Sequence, residues 1–216
     1  MRYQWILGLL GVSLSLFLTG CTLSELKELA PLPLLTQEEQ VLEKLSGLEN
    51  FKAVVTAEYL SNKNINTYEL IQVGTNTGAY YIEVTAPQRL KGSVMLSDNT
   101  HIYQLNTLLG EAHHLGTSER KERSTLLLTN FIAYLPLAET QILASEDETV
   151  VQVFLPTNHV YLHSKRLTLD NDTLTPIRLV TYDINDQPRV IVTYREFFYN
   201  ISIDERLFVP ETHVVG

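Results

Sequence analysis

The residues able to act as nucleophile, base or metal ligand are one cysteine, Cys21, six histidines and 25 acidic residues in a chain of 216. His113 and His114 are the most suggestive pair. Neighbours on a strand project to opposite faces, so the two do not readily share one metal ion, and exposed strand histidines are the simpler reading. His159 and His163 could approach across a turn, but no third ligand follows at the spacing a zinc site uses. Asp170 with Asp172, and Asp183 with Asp186, lie in stretches where Asp and Asn bond their own backbone and make turns. Glu146-Asp147-Glu148 is expected at a solvated hairpin tip. Gly-x-Ser-x-Gly, His-Glu-x-x-His, Cys-x-x-Cys and a phosphate loop are all missing from the sequence. The sequence therefore predicts a protein that binds rather than catalyses: no catalytic residue, no metal ligand and no cofactor is assigned.

Cys21 has a clearer use. The chain opens Met1-Arg2-Tyr3-Gln4, continues with an apolar run from Trp5 to Phe17, and then reads Leu18-Thr19-Gly20-Cys21. A basic start, a short apolar core and small residues before a cut define a secretory signal. The core is short of the roughly 20 apolar residues that a spanning helix needs. Leu18-Thr19-Gly20-Cys21 resembles the bacterial lipobox, Leu-x-Gly-Cys, in which the cysteine thiol receives a diacylglycerol. The resemblance implies that residues 1–20 are a lipoprotein signal peptide and that Cys21 is the lipidated N-terminus. A lone cysteine cannot form a disulfide within the chain, and an exported protein with one left over needs a use for it. Each buried acyl CH₂ contributes about 0.8 kcal/mol, so two or more chains anchor stably. The expected location is the extracytoplasmic face of a cell membrane, held by lipid.

Removal of residues 1–20 leaves enough chain for one domain with its own core. The net charge of −9 argues against nucleic acid, which needs a basic footprint, and against electrostatic attraction to anionic lipid. The lipid must supply the membrane attachment.

The elements that would position a binding surface follow from periodicity. Residues 21–36 form a tether, broken by Pro31 and Pro33. Thr36 and Glu39 have the spacing of a capping box, and Val41, Leu42, Leu45 and Leu48 continue at helical spacing over 37–48. From Phe51 the period becomes two. Strands are predicted at 51–59, 65–73, about 80–84, 89–97, 100–106 and, more weakly, 111–115. A helix is predicted from Ser118 to Leu135, ended by Pro136. Strands return at 140–145, 149–155, 160–169, 177–183 and 189–198. Leu207 and Phe208 look like plugs against the core. Successive strands joined by tight turns pair antiparallel, and a long antiparallel sheet curls. The predicted class is α+β: a strongly curved antiparallel half-barrel over residues 37–216, with the helices covering its concave face.

Eight tyrosines, Tyr59, Tyr68, Tyr80, Tyr81, Tyr103, Tyr161, Tyr182 and Tyr194, fall on predicted strands. They are expected either to pack as aromatics do on half-buried pleats or to wall a cavity for acyl chains; packing is the simpler expectation.

Three phrases resemble a known family. Ala79-Tyr80-Tyr81-Ile82-Glu83-Val84-Thr85-Ala86-Pro87 with Gly92 and Asp98-Asn99, then Leu167-Thr168-Leu169-Asp170 with Leu174-Thr175-Pro176, then Val180–Phe197 with Asn200-Ile201-Ser202-Ile203-Asp204 and Leu207-Phe208, resemble LolA-like proteins over residues 37–209. Lipobox, tether, helix and sheet together are similar in plan to the clostridial germination lipoproteins of the GerS type. The resemblance implies a non-enzymatic partner of a zinc-dependent N-acetylmuramoyl-L-alanine amidase of the CwlD type, acting in spore germination by presenting a sheet edge or face, with the zinc in the amidase. It gives no interface residues, because no short contact motif matches. The alternative it implies is a carrier or sensor of lipids or lipoproteins that uses the concave apolar face.

Overall fold

In a computed structural model of the protein, the described residues are 35–117, 125–156 and 159–214. Cys21, the signal segment, the tether as far as residue 34 and the predicted helical stretch 118–124 lie outside them.

Helix α1 (Gln37–Ser46) starts where the capping box places it. The Glu39 N–H donates to the Thr36 hydroxyl at 3.2 Å, and the Thr36 N–H donates to the Glu39 carboxylate at 2.7 Å. Val41 and Leu45 are buried on its inner face. Eleven strands form a single antiparallel sheet among the described residues. The first six are β1 (Asn50–Leu60), β2 (Ile65–Thr75), β3 (Tyr80–Ala86), β4 (Ser93–Ser97), β5 (His101–Asn106) and β6 (Glu111–Thr117). Helix α2 (Leu128–Tyr134) intervenes. The remaining five are β7 (Thr140–Ala144), β8 (Glu148–Phe154), β9 (Ser164–Asp170), β10 (Pro176–Tyr182) and β11 (Pro188–Tyr199).

The order across the sheet is β6-β5-β4-β3-β2-β1-β11-β10-β9-β8-β7. Two meanders thus meet at the centre. The first walks outward from β1 to β6. The chain then re-enters at the far edge as β7 and walks inward until β11 pairs with β1, placing Ala53 opposite Phe197 and Ala57 opposite Val192. The sheet is not closed: β6 and β7 are its two edges.

Both helices pack on the same face of the sheet. Val41, Leu45 and Leu48, and Leu127, Leu128 and Phe131, share one apolar cluster with Phe51, Val55, Val151, Leu167, Leu179 and Val192. The register explains why these residues meet. Phe51, Ala53, Val55 and Ala57 alternate to one side of β1, and their partners across β2 and β11 continue the same side. A second cluster lies on the opposite side of β2–β5, where Val73, Tyr81, Leu96 and Leu105 are capped by Phe208. Phe208 sits in a 3₁₀ turn over Glu205–Phe208 that follows β11. The expected plug exists, but it seals the face away from the helices.

Three expectations change in detail. Strand β4 begins at Ser93 rather than 89, because Gln88–Leu90 forms a 3₁₀ turn. Helix α2 begins at Leu128, preceded by a turn at 125–126. Strand β9 begins at Ser164 rather than 160, because the preceding backbone bonds elsewhere: the Leu162 N–H donates to the His159 carbonyl, and the Val160 carbonyl accepts from the Ile184 N–H. Tyr161 therefore lies on a loop and not on a strand. No helix among the described residues is long and apolar enough to cross a membrane.

Candidate functional site

The helix-bearing face is not filled evenly. Over β1–β5 it holds a cavity of about 480 Å³. Tyr59, Tyr68, Leu70, Ile82, Val84 and Met95 line it from the sheet, and Leu126 closes one side. The register builds this wall. Leu70 pairs with Val84, and Ile82 pairs with Met95, so the side chains of β2, β3 and β4 project to the same side in a row. Tyr59 and Tyr68 stand edge to face with ring centroids 5.8 Å apart. Desolvation, followed by the neighbouring Tyr68, pushes the Tyr59 hydroxyl up to about 12, so that phenol stays protonated at neutral pH.

Leu126 is positioned from below. Gln72 is fully buried on β2, and its amide donates a long hydrogen bond, 3.5 Å, to the Leu126 carbonyl. The side-chain oxygen of Gln72 has no partner among the described residues. A second tie lies nearby: the fully buried Lys165 of β9 donates to the Thr125 carbonyl and to the Asn130 side chain. These two polar side chains hold the start of α2 against the sheet.

Among the described residues no charged side chain lines the cavity. Such a site excludes water from an apolar body and offers Asn66, Ser93 and Gln104 for orientation. Among the described residues no histidine, cysteine, carboxylate or lysine lines it.

The residues singled out in the sequence fall elsewhere. His113 pairs with Gln104 and His114 with Tyr103, so the two rings project to opposite faces, as strand geometry requires. His114 packs against the His101 ring at 5.2 Å, and His113 lies 3.7 Å from the Glu111 carboxylate. The His159 ring accepts from the Tyr161 N–H at 3.3 Å, whereas the His163 ring lies against Phe154. Among the described residues no group of three or more His, Cys, Asp or Glu is arranged to hold a metal. Asp170 accepts from the Thr173 N–H at 2.8 Å and caps its own turn. Asp183 does the same for Asn185 and Gln187, and Asp186 pairs with Arg166 at 2.8 Å. Glu146 and Asp147 are exposed at the β7–β8 tip.

The tyrosines divide. Tyr59 and Tyr68 wall the cavity. Tyr80 and Tyr194 are buried in the main cluster. Tyr81 and Tyr103 belong to the opposite face, and Tyr182 lies under the Arg166 guanidinium at 4.3 Å. Sequence reasoning missed Gln72 and Lys165. Both were visible as polar residues in register with an apolar face: Lys165 alternates with Leu167 and Leu169.

The scaffold is thus an open antiparallel sheet with both helices on one face and a cavity on that same face. The model of the sporulation protein YdcC-like family matches residues 32–208, and the chain belongs to that family. Among solved structures it is similar to the GerS lipoprotein of Clostridioides difficile, determined in complex with the CwlD amidase, at 26% identity over 77% of this chain and 97% of that one, TM-score 0.49. It is also similar to the LolA superfamily protein NE2245 of Nitrosomonas europaea, at 12% identity over 81% and 98% of the two chains, TM-score 0.44. The lipoprotein LppX of Mycobacterium tuberculosis follows at 13% identity over 78% and 96%, TM-score 0.43. No curated protein matches the chain.

Proposed function

We propose that this protein is a membrane-tethered, non-enzymatic lipoprotein of sporulating cells that binds and regulates a partner protein, an N-acetylmuramoyl-L-alanine amidase of the cell wall. The observation that carries the reading is the family match, which spans the domain from residue 32 to residue 208. The lipobox supports the tether, with Cys21 acylated and residues 1–20 removed. The helix-bearing side is taken as the concave side of the curl. In Clostridioides difficile the GerS lipoprotein is found with the CwlD amidase, which makes a zinc-dependent amidase of that kind the partner to try first.

The test is co-expression of the full chain with the amidase encoded in the same genome. Co-elution on size exclusion, with a rise in the rate of stem-peptide release from glycan, is expected. Separate elution with an unchanged rate would sink the proposal. The chain alone is expected to leave muropeptides intact, and turnover by it would replace the non-enzymatic reading. Acylation is checked by mass spectrometry of the mature protein, with Cys21→Ser expected to abolish it.

A second reading has its own support. The uncharged cavity of about 480 Å³ suits an acyl chain, so carriage of a lipid or lipoprotein is the alternative. Lipid extracted from the purified protein is its signature.

A further inference from the structure

A second concavity, of about 740 Å³, opens at one end of the sheet. The β1–β2 turn forms one bank, and the loop that carries His159 and Tyr161 forms the other. Its lining inverts the balance of the chain. The protein has 25 acidic residues against 16 basic ones, yet among the described residues no carboxylate lines this trough, while Lys63, Arg189 and His159 do. Three side-chain amides, Asn62, Asn64 and Asn66, stand along the same bank. Tyr161 is 55% exposed on the other.

The trough is organised in advance of any ligand. Arg189 donates from Nε to Asp183 at 2.7 Å and from Nη1 to Asn62 at 3.1 Å. Its guanidinium also lies 5.3 Å from the Tyr161 ring centroid. One cation thus fixes both banks and is itself neutralised by the buried Asp183. Lys63 is different: among the described residues it has no carboxylate within ion-pairing distance. The ammonium is the charge left over for a ligand.

We propose that this trough binds an acidic saccharide, a glycan whose rings carry both acyl-amide or hydroxyl groups and a carboxylate. Each part has its counterpart. An exposed tyrosine presents a face of negative quadrupole, which attracts the positively polarised C–H face of a sugar ring. Amide side chains offer donors and acceptors together, which hydroxyl and acetamido groups require. The unpaired ammonium of Lys63 suits a carboxylate, through a charge-assisted hydrogen bond. A free inorganic anion would use neither the aromatic bank nor the length of the trough. The chain enters the domain at the other end of the sheet, where the Gln37 amide reaches the Asn171 carbonyl at 3.5 Å.

Calorimetry on the full chain in lipid nanodiscs tests this without any amidase, so its failure is separable from failure of the partner reading. The probes are a hyaluronan tetrasaccharide, which alternates N-acetylglucosamine with glucuronic acid, and neutral chitotetraose. The acidic probe is expected to bind about tenfold or more tighter than the neutral one. Lys63→Met is expected to erase that difference, and Tyr161→Ala to weaken both. Both positions are exposed, so neither change threatens folding. Absence of binding by either probe overturns the proposal. So does equal affinity for the two, or acidic-probe binding that both variants leave unchanged.

Discussion

The ammonium of Lys165 on β9 meets the side-chain oxygen of Asn130 on α2 at 2.5 Å, with the Thr125 carbonyl as a second acceptor at 3.2 Å. Lys165 is fully buried, and no carboxylate is paired with it among the described residues. Two neutral oxygens recover part of the hydration lost on burial. The remainder shows as a lowered proton affinity, with burial bringing the lysine down to about 7. The clamp that holds α2 to the sheet is therefore sensitive to pH.

The direction follows from linkage. An unfolded lysine titrates near 10.4. Between about 7 and that value the unfolded chain binds a proton that the folded chain has released, so stability rises with pH, by up to about 1.4 kcal/mol per unit. Below about 7 both forms are charged, and the burial of charge costs most. Urea midpoints measured from pH 7 to pH 9 are expected to climb, and Lys165→Met is expected to flatten the climb. An unchanged slope in the variant would assign the effect to another group.

Lys165 also marks how far the sequence could be read. The strands were legible because period two is explicit in β1, β2 and β8–β11. The capping box at Thr36 and Glu39 gave the start of α1 to the residue. The pairing of β1 with β11 was not legible, because it joins segments some 140 positions apart and no local pattern encodes it. Nor was the placement of Phe208, whose apolarity announces burial but not which face it covers. The cavity is half legible: Tyr59 and Tyr68 stand out in the sequence as strand aromatics able to wall it, whereas Leu126 and Met95 enter it only through tertiary packing. Tyr161 reads as a strand residue because Val160 and Leu162 flank it, but the loop hydrogen bonds from Leu162 to His159 and from Ile184 to Val160 hold it outside the sheet.

Gly74 shows a constraint of a different kind. A Cβ there would lie 2.7 Å from Cε1 of Phe51, a fully buried ring that stacks on Phe197 with centroids 5.3 Å apart. Because Phe51 is fully buried, any shift of its ring must be taken up by its packed neighbours. Gly74→Ala is expected to destabilise the domain by about 1–3 kcal/mol through overpacking. Chemical denaturation gives the loss, and Phe51→Leu in the same chain is expected to recover part of it. A neutral single variant would mean that the ring has room to shift.

Asp183 anchors the β10–β11 turn and one bank of the trough. Its carboxylate is 1% exposed and accepts from the N–H groups of Gln187 and Asn185, both at 2.9 Å, and from Arg189 Nε at 2.7 Å. The Gln187 backbone N–H, the largest cause, and the Arg189 guanidinium hold it below the usual carboxylate range. A depressed carboxylate stabilises the fold above its unfolded value of about 3.9, and the contribution fades as pH falls through the folded value. Asp183→Asn turns an amide N–H₂ toward donors and is expected to lower the thermal midpoint at pH 7. At pH 3 the gap between variant and parent is expected to narrow. A gap that stays constant would mean that Asp183 acts through shape alone.

The cavity offers a way to separate the two readings of function. Met95 lines it and is half-buried, opposite Ile82 in register. Met95→Trp would put a larger, rigid ring into a space of about 480 Å³, enough to obstruct an acyl chain. A protein that works through its surface is expected to keep its amidase co-elution in this variant, and a carrier is expected to lose its extractable lipid. Size exclusion and lipid mass spectrometry on the same preparation read both at once. Circular dichroism melting of the variant guards against misfolding. Loss of amidase binding in a folded Met95→Trp protein would place the partner contact at the cavity mouth, and the surface reading would give way to one in which the cavity itself receives a segment of the partner.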